Sequence, residues 1–411
     1  MSKRLRILYA AGPGDVVGTY NYWVTGQDDP SQVSITYSSQ FYEVCRDLDA
    51  DAYVISSCPE RKFFYDGQFK IKHRPIPLRS FSGLLYHLGQ LWYGLRLIAS
   101  AIRFRANVAV VVDGTTHWFV LLLLSWLGVQ VIPSIHCTLW CKYVPSSKAQ
   151  NLILNLSRYL FARCCTAVLA VSDEISEQIT QLTTSQHQLI RRFTPLYRRE
   201  QFAGIAPPSQ RHLPFRVLYV GRIEENKGVF DLLEIAKHFT AIGRKDIVFE
   251  LCGTGSMLKS LRQAAKQAGL KARFVCHGHC NKPKMRQMFN RSHAIIVPTK
   301  TDFAEGFNKV VAEGVLSGRP VVTSAVCPAL SYVQDAVVEV PPDDLMGYGE
   351  ALLKLCDDHQ FYEQKRQSCQ GLQEQFYDNS QGWGAALKSI LVSLPESQQL
   401  GKELKLEQSV S

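Results

Sequence analysis

Short apolar runs, many of them β-branched, alternate along the chain with stretches whose apolar positions return every three or four residues. The short runs predict strands at Arg6–Tyr9, Ala52–Ile55, Val108–Val112, Val129–Ile135 and Ala167–Val171, with helices between them. A second series follows at Arg216–Val220, Ile247–Cys252, Arg273–Cys276, Ala294–Val297 and Val321–Thr323. Helices are expected there at Gly228–Ile242, Ser256–Ala268, Lys282–Asn290 and Asn308–Leu316. Such alternation predicts an α/β fold with parallel sheets. The two series repeat one plan without sharing sequence. The seam between them, Pro195–Pro214, is rich in Pro, Arg and polar residues. Two domains are therefore expected, 1–200 and 214–380, with a cleft between them. A last helix over 381–394 and a loose polar tail over 395–411 complete the chain. In open α/β sheets ligands bind beyond the carboxyl ends of the strands, so chemistry is sought in the strand-to-helix loops.

Two apolar segments test this plan. Residues 114–141 carry no charged side chain and include Trp118-Phe119-Val120-Leu121-Leu122-Leu123-Leu124. By length the segment could span a membrane. Gly128 and Pro133 interrupt it, and Val129-Gln130-Val131-Ile132 has strand character, so a buried helix followed by a buried strand is expected. Over 84–102, Leu84, Leu88, Leu91, Leu95, Ile98 and Ile102 recur at helical steps. This stripe is expected to pack on the first sheet. A helix lying in a membrane interface is the alternative, because Trp92, Tyr93, Arg96, Arg103 and Arg105 sit beside it, and both hold if the helix is only partly buried.

Composition changes the picture in two places. The twelve cysteines have no framework spacing, which fits a reducing cytoplasm, and the apolar run after Met1 is too short for a signal peptide. The formal charge of +10 is unevenly placed: residues 61–163 hold thirteen Lys and Arg against Asp66 and Asp113 alone, a net of +11. A block of this kind attracts an anionic membrane surface or an acidic acceptor. It lacks the short basic runs and aromatic motifs of nucleic-acid modules, so no nucleic acid is expected as a partner. The expected location is cytoplasmic, with peripheral attachment to the inner face of a membrane as an extension.

Candidate chemistry concentrates in the second series. Glu305-Gly306-Phe307-Asn308-Lys309-Val310-Val311-Ala312-Glu313 places two carboxylates eight residues apart, one before a helix and one within it. Along a helix this is a rise of ~12 Å, with free N–H groups at the helix start between the acids. A sugar nucleotide has matching features, with hydroxyls at both ends and a diphosphate between. Upstream, Val220-Gly221-Arg222-Ile223-Glu224-Glu225-Asn226-Lys227-Gly228 offers two cations five residues apart at a helix start, suited to clamping a diphosphate. Cys276-His277-Gly278-His279-Cys280 is too short a run to close a tetrahedral zinc site, and no metal is expected there. Asp49-Ala50-Asp51 precedes its strand and so lies at the wrong end for a metal-diphosphate site.

The Glu305–Glu313 segment, with its Glu-Gly-Phe start and its Gly318-x-Pro320-Val321-Val322 end, resembles the Glu-x7-Glu motif of retaining glycosyltransferases of family 4. Gly221-Arg222-x4-Lys227-Gly228 resembles a second motif of that family, and Gly253-Thr254-Gly255 its donor-side turn. The Gly12-Pro13-Gly14 loop, with Asp15 as a candidate acceptor-orienting acid, is similar to its first loop. His136 and Ser172 at strand ends, and the helix from Trp383, fit its chain order. The resemblance is close over 216–324 and looser elsewhere. It implies the GT-B architecture: two Rossmann-like domains with parallel sheets facing a central cleft. It further implies that a nucleotide-diphosphate sugar is the donor, that Arg222 and Lys227 hold the diphosphate, and that Glu313 binds the ribose. Glu305 and the backbone of Gly306, Phe307 and Asn308 would hold the sugar. Gly12 and Gly14 would face the acceptor, a glycan or a lipid-linked acceptor, and His136 would stand near the reacting carbon. Transfer would proceed with retention, without a cofactor or metal. Two departures stand out. Asn308 replaces a frequent glycine and is expected to influence which sugar fits. Thr194-Pro195-Leu196-Tyr197 replaces an Asn-Gly turn. A sugar-nucleotide epimerase or a phosphorylase could share this plan, and a scaffold with a retired site is the non-enzymatic alternative.

Overall fold

The structure, a computed structural model, describes residues 4–206 and 213–394. The expected tail over 395–411 and the middle of the linker lie outside the described residues. The chain divides into two compact units. The first holds the described residues up to 137, 146–195 and those from 379 on; the second holds 138–145 and 196–378.

The first unit comprises β1 (Arg6–Ala11), α1 (Val16–Val24), α2 (Tyr37–Asp47), β2 (Asp51–Ser56), β3 (Phe63–Tyr65), β4 (Phe69–His73), α3 (Gly83–Phe104) and β5 (Val108–Val112). It continues with α4 (Leu122–Trp126), β6 (Gln130–Ile135), α5 (Lys148–Tyr159), β7 (Ala167–Ala170), α6 (Asp173–Thr183) and β8 (Leu189–Arg192). The sheet order is β3-β4-β2-β1-β5-β6-β7-β8. All neighbours are parallel except β3, which runs antiparallel to β4. The inner strands are covered on both faces, hence their nearly continuous apolar runs. From Ile7 to Ala11 every β1 residue is buried.

The second unit comprises α7 (Arg199–Phe202), β9 (Phe215–Val220), α8 (Val229–Ala241), β10 (Ile247–Cys252), α9 (Leu258–Gln267), β11 (Phe274–Gly278), α10 (Lys282–Arg291) and β12 (Ala294–Val297). After these come α11 (Lys309–Leu316), β13 (Val321–Ser324), α12 (Leu330–Val333), β14 (Val337–Val340), α13 (Leu345–Asp357) and α14 (His359–Gly371). Its sheet, β11-β10-β9-β12-β13-β14, is wholly parallel. The core is built from strands β9, β10 and β12 and from the inner faces of α8, α9 and α13. The final helix, α15 (Trp383–Ser393), belongs to the first unit. Trp383 is fully buried there, and the Gly384 amide donates to the Gln40 side chain of α2 at 2.9 Å.

Two expectations about apolar segments need correction. α3 does form and packs on the sheet, but only part of the expected stripe goes inward: Ile98 is buried, whereas Leu84, Leu88, Leu95 and Ile102 are exposed. The rest of the packed face is Gly89, Tyr93, Gly94, Leu97 and Ala101. Small residues decide the orientation. A Cβ on Gly94 would run into the Thr116 side chain, and one on Gly89 into the Pro77 carbonyl, so this face comes closest to its neighbours. The segment 114–141 folds as a 3-10 turn, α4 and β6, but α4 is not wholly buried, because Leu123, Trp126 and Leu127 are exposed. No helix among the described residues is long and apolar enough to cross a membrane.

Candidate functional site

In the second sheet the strand order reverses between neighbours β9 and β12, so a crevice opens at their carboxyl ends. The loops after these strands, 221–228 and 298–308, carry the residues that the sequence singled out. They are tied together: the Lys300 amide donates to the Asn226 carbonyl at 3.0 Å, and the Lys300 ammonium pairs with Asp231 of α8 at 2.9 Å. Gly228, at φ 71°, faces the Pro298 carbonyl so closely that a Cβ would collide with it. On the other side, Gly221 and Ile223 donate to the carbonyls of Cys252 and Thr254 at 3.0 and 2.9 Å. Glu224 accepts from the Ser256 amide and hydroxyl, which hold its carboxyl below the usual range.

Lys227 and Glu305 meet directly. The ammonium lies 2.5 Å from the carboxylate, and both side chains are largely withdrawn from solvent, 12% and 15% exposed. The Phe303 ring lies under both cations of the proposed clamp, 3.7 Å from the Lys227 ammonium and 5.3 Å from the Arg222 guanidinium. Sequence reasoning did not single out Phe303. A lone aromatic in a loop carries no periodic signal, and only its place two residues before Glu305 could have drawn attention to it.

Asn308 caps α11 with φ 60°, in the left-handed region where Gly is free and Asn is tolerated. That is a backbone reason for finding Gly or Asn at this point. Its side-chain amide lies 3.4 Å from Glu305, on the face that meets Lys227. Phe307 is buried against Tyr332 and Phe376, so it offers a ligand only its backbone. Glu313 stands in the second turn of α11 and is buried. Burial pushes its carboxyl up to about 7, against the opposing pull of Lys309 and a hydrogen bond from Tyr197. Tyr197 also donates to the Lys309 carbonyl at 3.2 Å. The segment that replaces the Asn-Gly turn thus reaches the helix carrying Glu313. The two acids are held differently: Glu305 faces a cation, whereas Glu313 is desolvated.

In the first unit the reversal of strand order falls between β1 and β5. The carbonyls of Gly12 and Gly14 accept from the Ser56 hydroxyl at 2.9 and 2.6 Å, which fixes the loop after β1. Asp15 caps α1 through the Gly18 amide at 2.8 Å and lies 3.1 Å from Lys62. Burial opposes its ionisation, but the Gly18 amide, Lys62 and His73 together hold it below the usual range. His136 follows β6 directly. Its amide donates to Asp113 at 3.0 Å, and its Nε2 lies 2.9 Å from the Ser134 hydroxyl, which accepts from the Trp383 indole at 2.8 Å. Tyr37, tilted, and Phe193, edge-on, pack against the imidazole, with ring centroids at 4.5 and 5.4 Å. Asp113, which sequence reasoning treated only as a charge, follows β5 directly beside His136, and burial pushes its carboxyl up to about 6. Ser172, just past β7, is fully buried at the same edge.

The Cys276–Cys280 run is spread over the end of β11. The Cys276 carbonyl accepts from Arg262, while His277 faces Glu250 at 3.6 Å. Among the described residues no group of three or more His, Cys, Asp or Glu side chains could hold a metal ion. Asp49 and Asp51 pair with Arg4, at the amino end of β2.

Residues 207–371 match the sequence profile of glycosyl transferases group 1. The α-D-kanosaminyltransferase of Streptomyces kanamyceticus is 24% identical over 266 residues, 61% of this chain and 67% of that protein. Among solved structures, sucrose-phosphate synthase from Thermosynechococcus elongatus superposes with a TM-score of 0.66 at 15% identity, covering 99% of this chain and 100% of the other. Anabaena HepE in complex with UDP gives a TM-score of 0.62 at 15% identity, over 98% and 100% of the two chains. The fold is that of the GT-B glycosyltransferases, with two parallel-sheet domains. With a group 1 profile over its second unit, the chain is a glycosyltransferase.

Proposed function

We propose that the enzyme moves a hexosyl group from a nucleotide-diphosphate sugar to a hydroxyl of a glycan or lipid-linked acceptor, with retention of anomeric configuration. The observation that carries this reading is the Lys227–Glu305 pair on Phe303, at the crevice of the second sheet. A bound donor would exchange that internal pair for two external ones: Lys227, with Arg222, takes the diphosphate, and Glu305 takes sugar hydroxyls. The N–H groups at the start of α11, around Gly306, Phe307 and Asn308, face the same anion. Glu313 takes the ribose. That UDP binds to HepE, a protein of the same fold, supports a nucleotide donor.

In the retaining step the acceptor oxygen bonds to the anomeric carbon on the face from which the diphosphate departs. The leaving phosphate oxygen takes the hydroxyl proton, and Arg222 and Lys227 stabilise the charge left behind. We assign acceptor recognition to the carboxyl edge of the first sheet, with Gly12, Gly14 and His136. The exposed stripe of α3 and the +11 block support an acceptor carried on an anionic membrane surface, in polysaccharide or glycolipid synthesis.

The test is a turnover screen with UDP-, GDP- and ADP-sugars, with product configuration read from anomeric proton couplings. Lys227→Ala should lower kcat/KM by about a hundredfold or more on the accepted donor. Undiminished turnover by that variant rejects the assignment, and an inverted product rejects the retaining step.

A further inference from the structure

A cavity of about 510 Å³ opens on the first unit, between the edge strand β3, its neighbour β4 and the last turn of α3. This is within the range of small-ligand sites. Five cations line it, Arg6, Lys70, Lys72, Arg74 and Arg103, against one acid, Asp51, whose carboxylate lies 3.6 Å from Arg4. The register explains the clustering. Lys70 stands beside Tyr53 of β2 and Tyr65 of β3, and Lys72 beside Phe63, so alternate β4 residues bring both lysines to one face.

Arg74 is only 8% exposed. Its guanidinium donates to the Arg96 carbonyl at 3.1 Å and the Ser100 hydroxyl at 2.9 Å, while its Nε has no hydrogen-bond partner among the described residues. Both acceptors are neutral, so the group is held in place with its charge uncancelled. The Nε of Arg6, whose guanidinium lies over the Phe104 ring, is likewise buried with no hydrogen-bond partner among the described residues. Lys72 is held below its usual range, by burial first and then by Arg74, Arg96 and Lys70. A buried guanidinium with further cations crowded around it is costly unless something negative joins them. Phe63 and Tyr65, both more than 60% exposed, stand at the rim as flat faces for an attached ring or chain.

Arg6 and Asp51 open their strands, whereas Gly12 and Gly14 follow the far end of β1, some ~20 Å along a six-residue strand. The cavity is thus distinct from the loop edge assigned to the acceptor. We infer that it is an anion site for a phosphate-bearing ligand, either a soluble phosphate compound or the headgroup of an anionic lipid. The inference does not rest on the donor reading.

The experiment uses the full chain with Arg222→Ala and Lys227→Ala, so that pyrophosphate no longer reports on the donor clamp. Calorimetric titration with inorganic pyrophosphate at low salt is one arm. Sedimentation with phosphatidylglycerol or phosphatidylcholine vesicles is the other. Adding Lys70→Ala and Lys72→Ala should weaken binding at least about tenfold, since each removes a charged hydrogen-bond donor. Arg103→Ala, on an exposed side chain, should act in the same direction and guards against a folding artefact. Loss confined to pyrophosphate assigns a soluble ligand. Loss confined to phosphatidylglycerol vesicles assigns a lipid headgroup. Unchanged binding of both probes by both variants, or binding of neither probe by the clamp-free chain, overturns the inference.

Discussion

Lys227 of the second unit lies 2.5 Å from the carboxylate of Glu305, whereas Arg74 of the first unit, itself buried, meets neutral oxygens and no acid among the described residues. The contrast recurs. In the second unit Lys300 pairs with Asp231, and the buried Glu250 is bracketed by Arg216 and Arg291. In the first unit the cations of β4 and α3 face one another. Arg319 of the second unit is fully buried with no acid paired to it among the described residues, but its guanidinium donates to the carbonyls of Ser292, Ser317 and Ala206. The first two close α10 and α11, so helix ends supply the negative potential. A pocket whose charges are closed internally binds by exchange, and the ligand must be worth more than the pair it displaces. A pocket left open binds by completion. The first arrangement suits a donor that must come and go, and the second suits an anchoring site.

Glu313 breaks the pattern of the second unit most strongly, and it carries the largest pH-dependent stability effect expected. Its folded carboxyl is raised to about 7, so the folded chain binds a proton there more tightly than the unfolded chain does. Stability from this group is fully present below the unfolded value near 4.5 and is lost as pH rises to about 7. The loss amounts to about 3 kcal/mol. Glu313→Gln removes that dependence. Denaturant unfolding should therefore show the variant gaining on the parent by roughly this amount between pH 5 and pH 8. Parallel pH profiles for the two chains would show that the carboxylate is adequately solvated or paired after all.

A smaller effect sharpens the donor side of the comparison. If the clamp cations are held for exchange, the ring beneath them should matter for binding more than for folding. Phe303→Leu keeps the apolar bulk and loses the cation–π contact, worth about 1 kcal/mol. Initial rates should show the donor KM rising about fivefold with kcat nearly unchanged. An unaltered KM would mean that the ring only fills space.

The inner strands were legible because a strand buried on both faces has to be apolar, and β5, β10 and β12 were placed to the residue. Strands β3, β4, β8 and β14 escaped. They lie at or next to sheet edges and are short or interrupted: β3 has only three residues, and Lys, Arg or Glu breaks the apolar run in β4, β8 and β14. The residues of the donor loops were legible for a different reason: Gly228 and Asn308 are required by backbone geometry, and Lys227 and Glu305 by charge, so identity and spacing coincide. Phe303, Asp113 and the basic cavity were not, because each depends on strands distant in sequence being brought side by side. The +11 of residues 61–163 was visible as a sum, but its concentration between β4 and α3 comes from register.

α3 supplies the last and smallest stability effect and the clearest way to test the outward face of the first unit. Its period-3.6 pattern marks a helix that packs on the sheet, but of the expected stripe Ile98 is buried while Leu84, Leu88, Leu95 and Ile102 stay outside, because the glycine-bearing face packs closer. Leu88 and Trp92 are 46% and 57% exposed. Replacing both by Ser should shift unfolding by no more than about 0.5 kcal/mol each, as expected for surface positions. Tyr93→Ser, one residue along and fully buried, should cost about 3 kcal/mol or more. The double variant should nevertheless lose partitioning onto phosphatidylglycerol vesicles, since Leu and Trp supply the apolar contact and the neighbouring arginines the attraction. A double variant that unfolds as readily as Tyr93→Ser would show that the stripe is covered in the folded chain. One that is stable and still partitions would move the membrane contact away from α3.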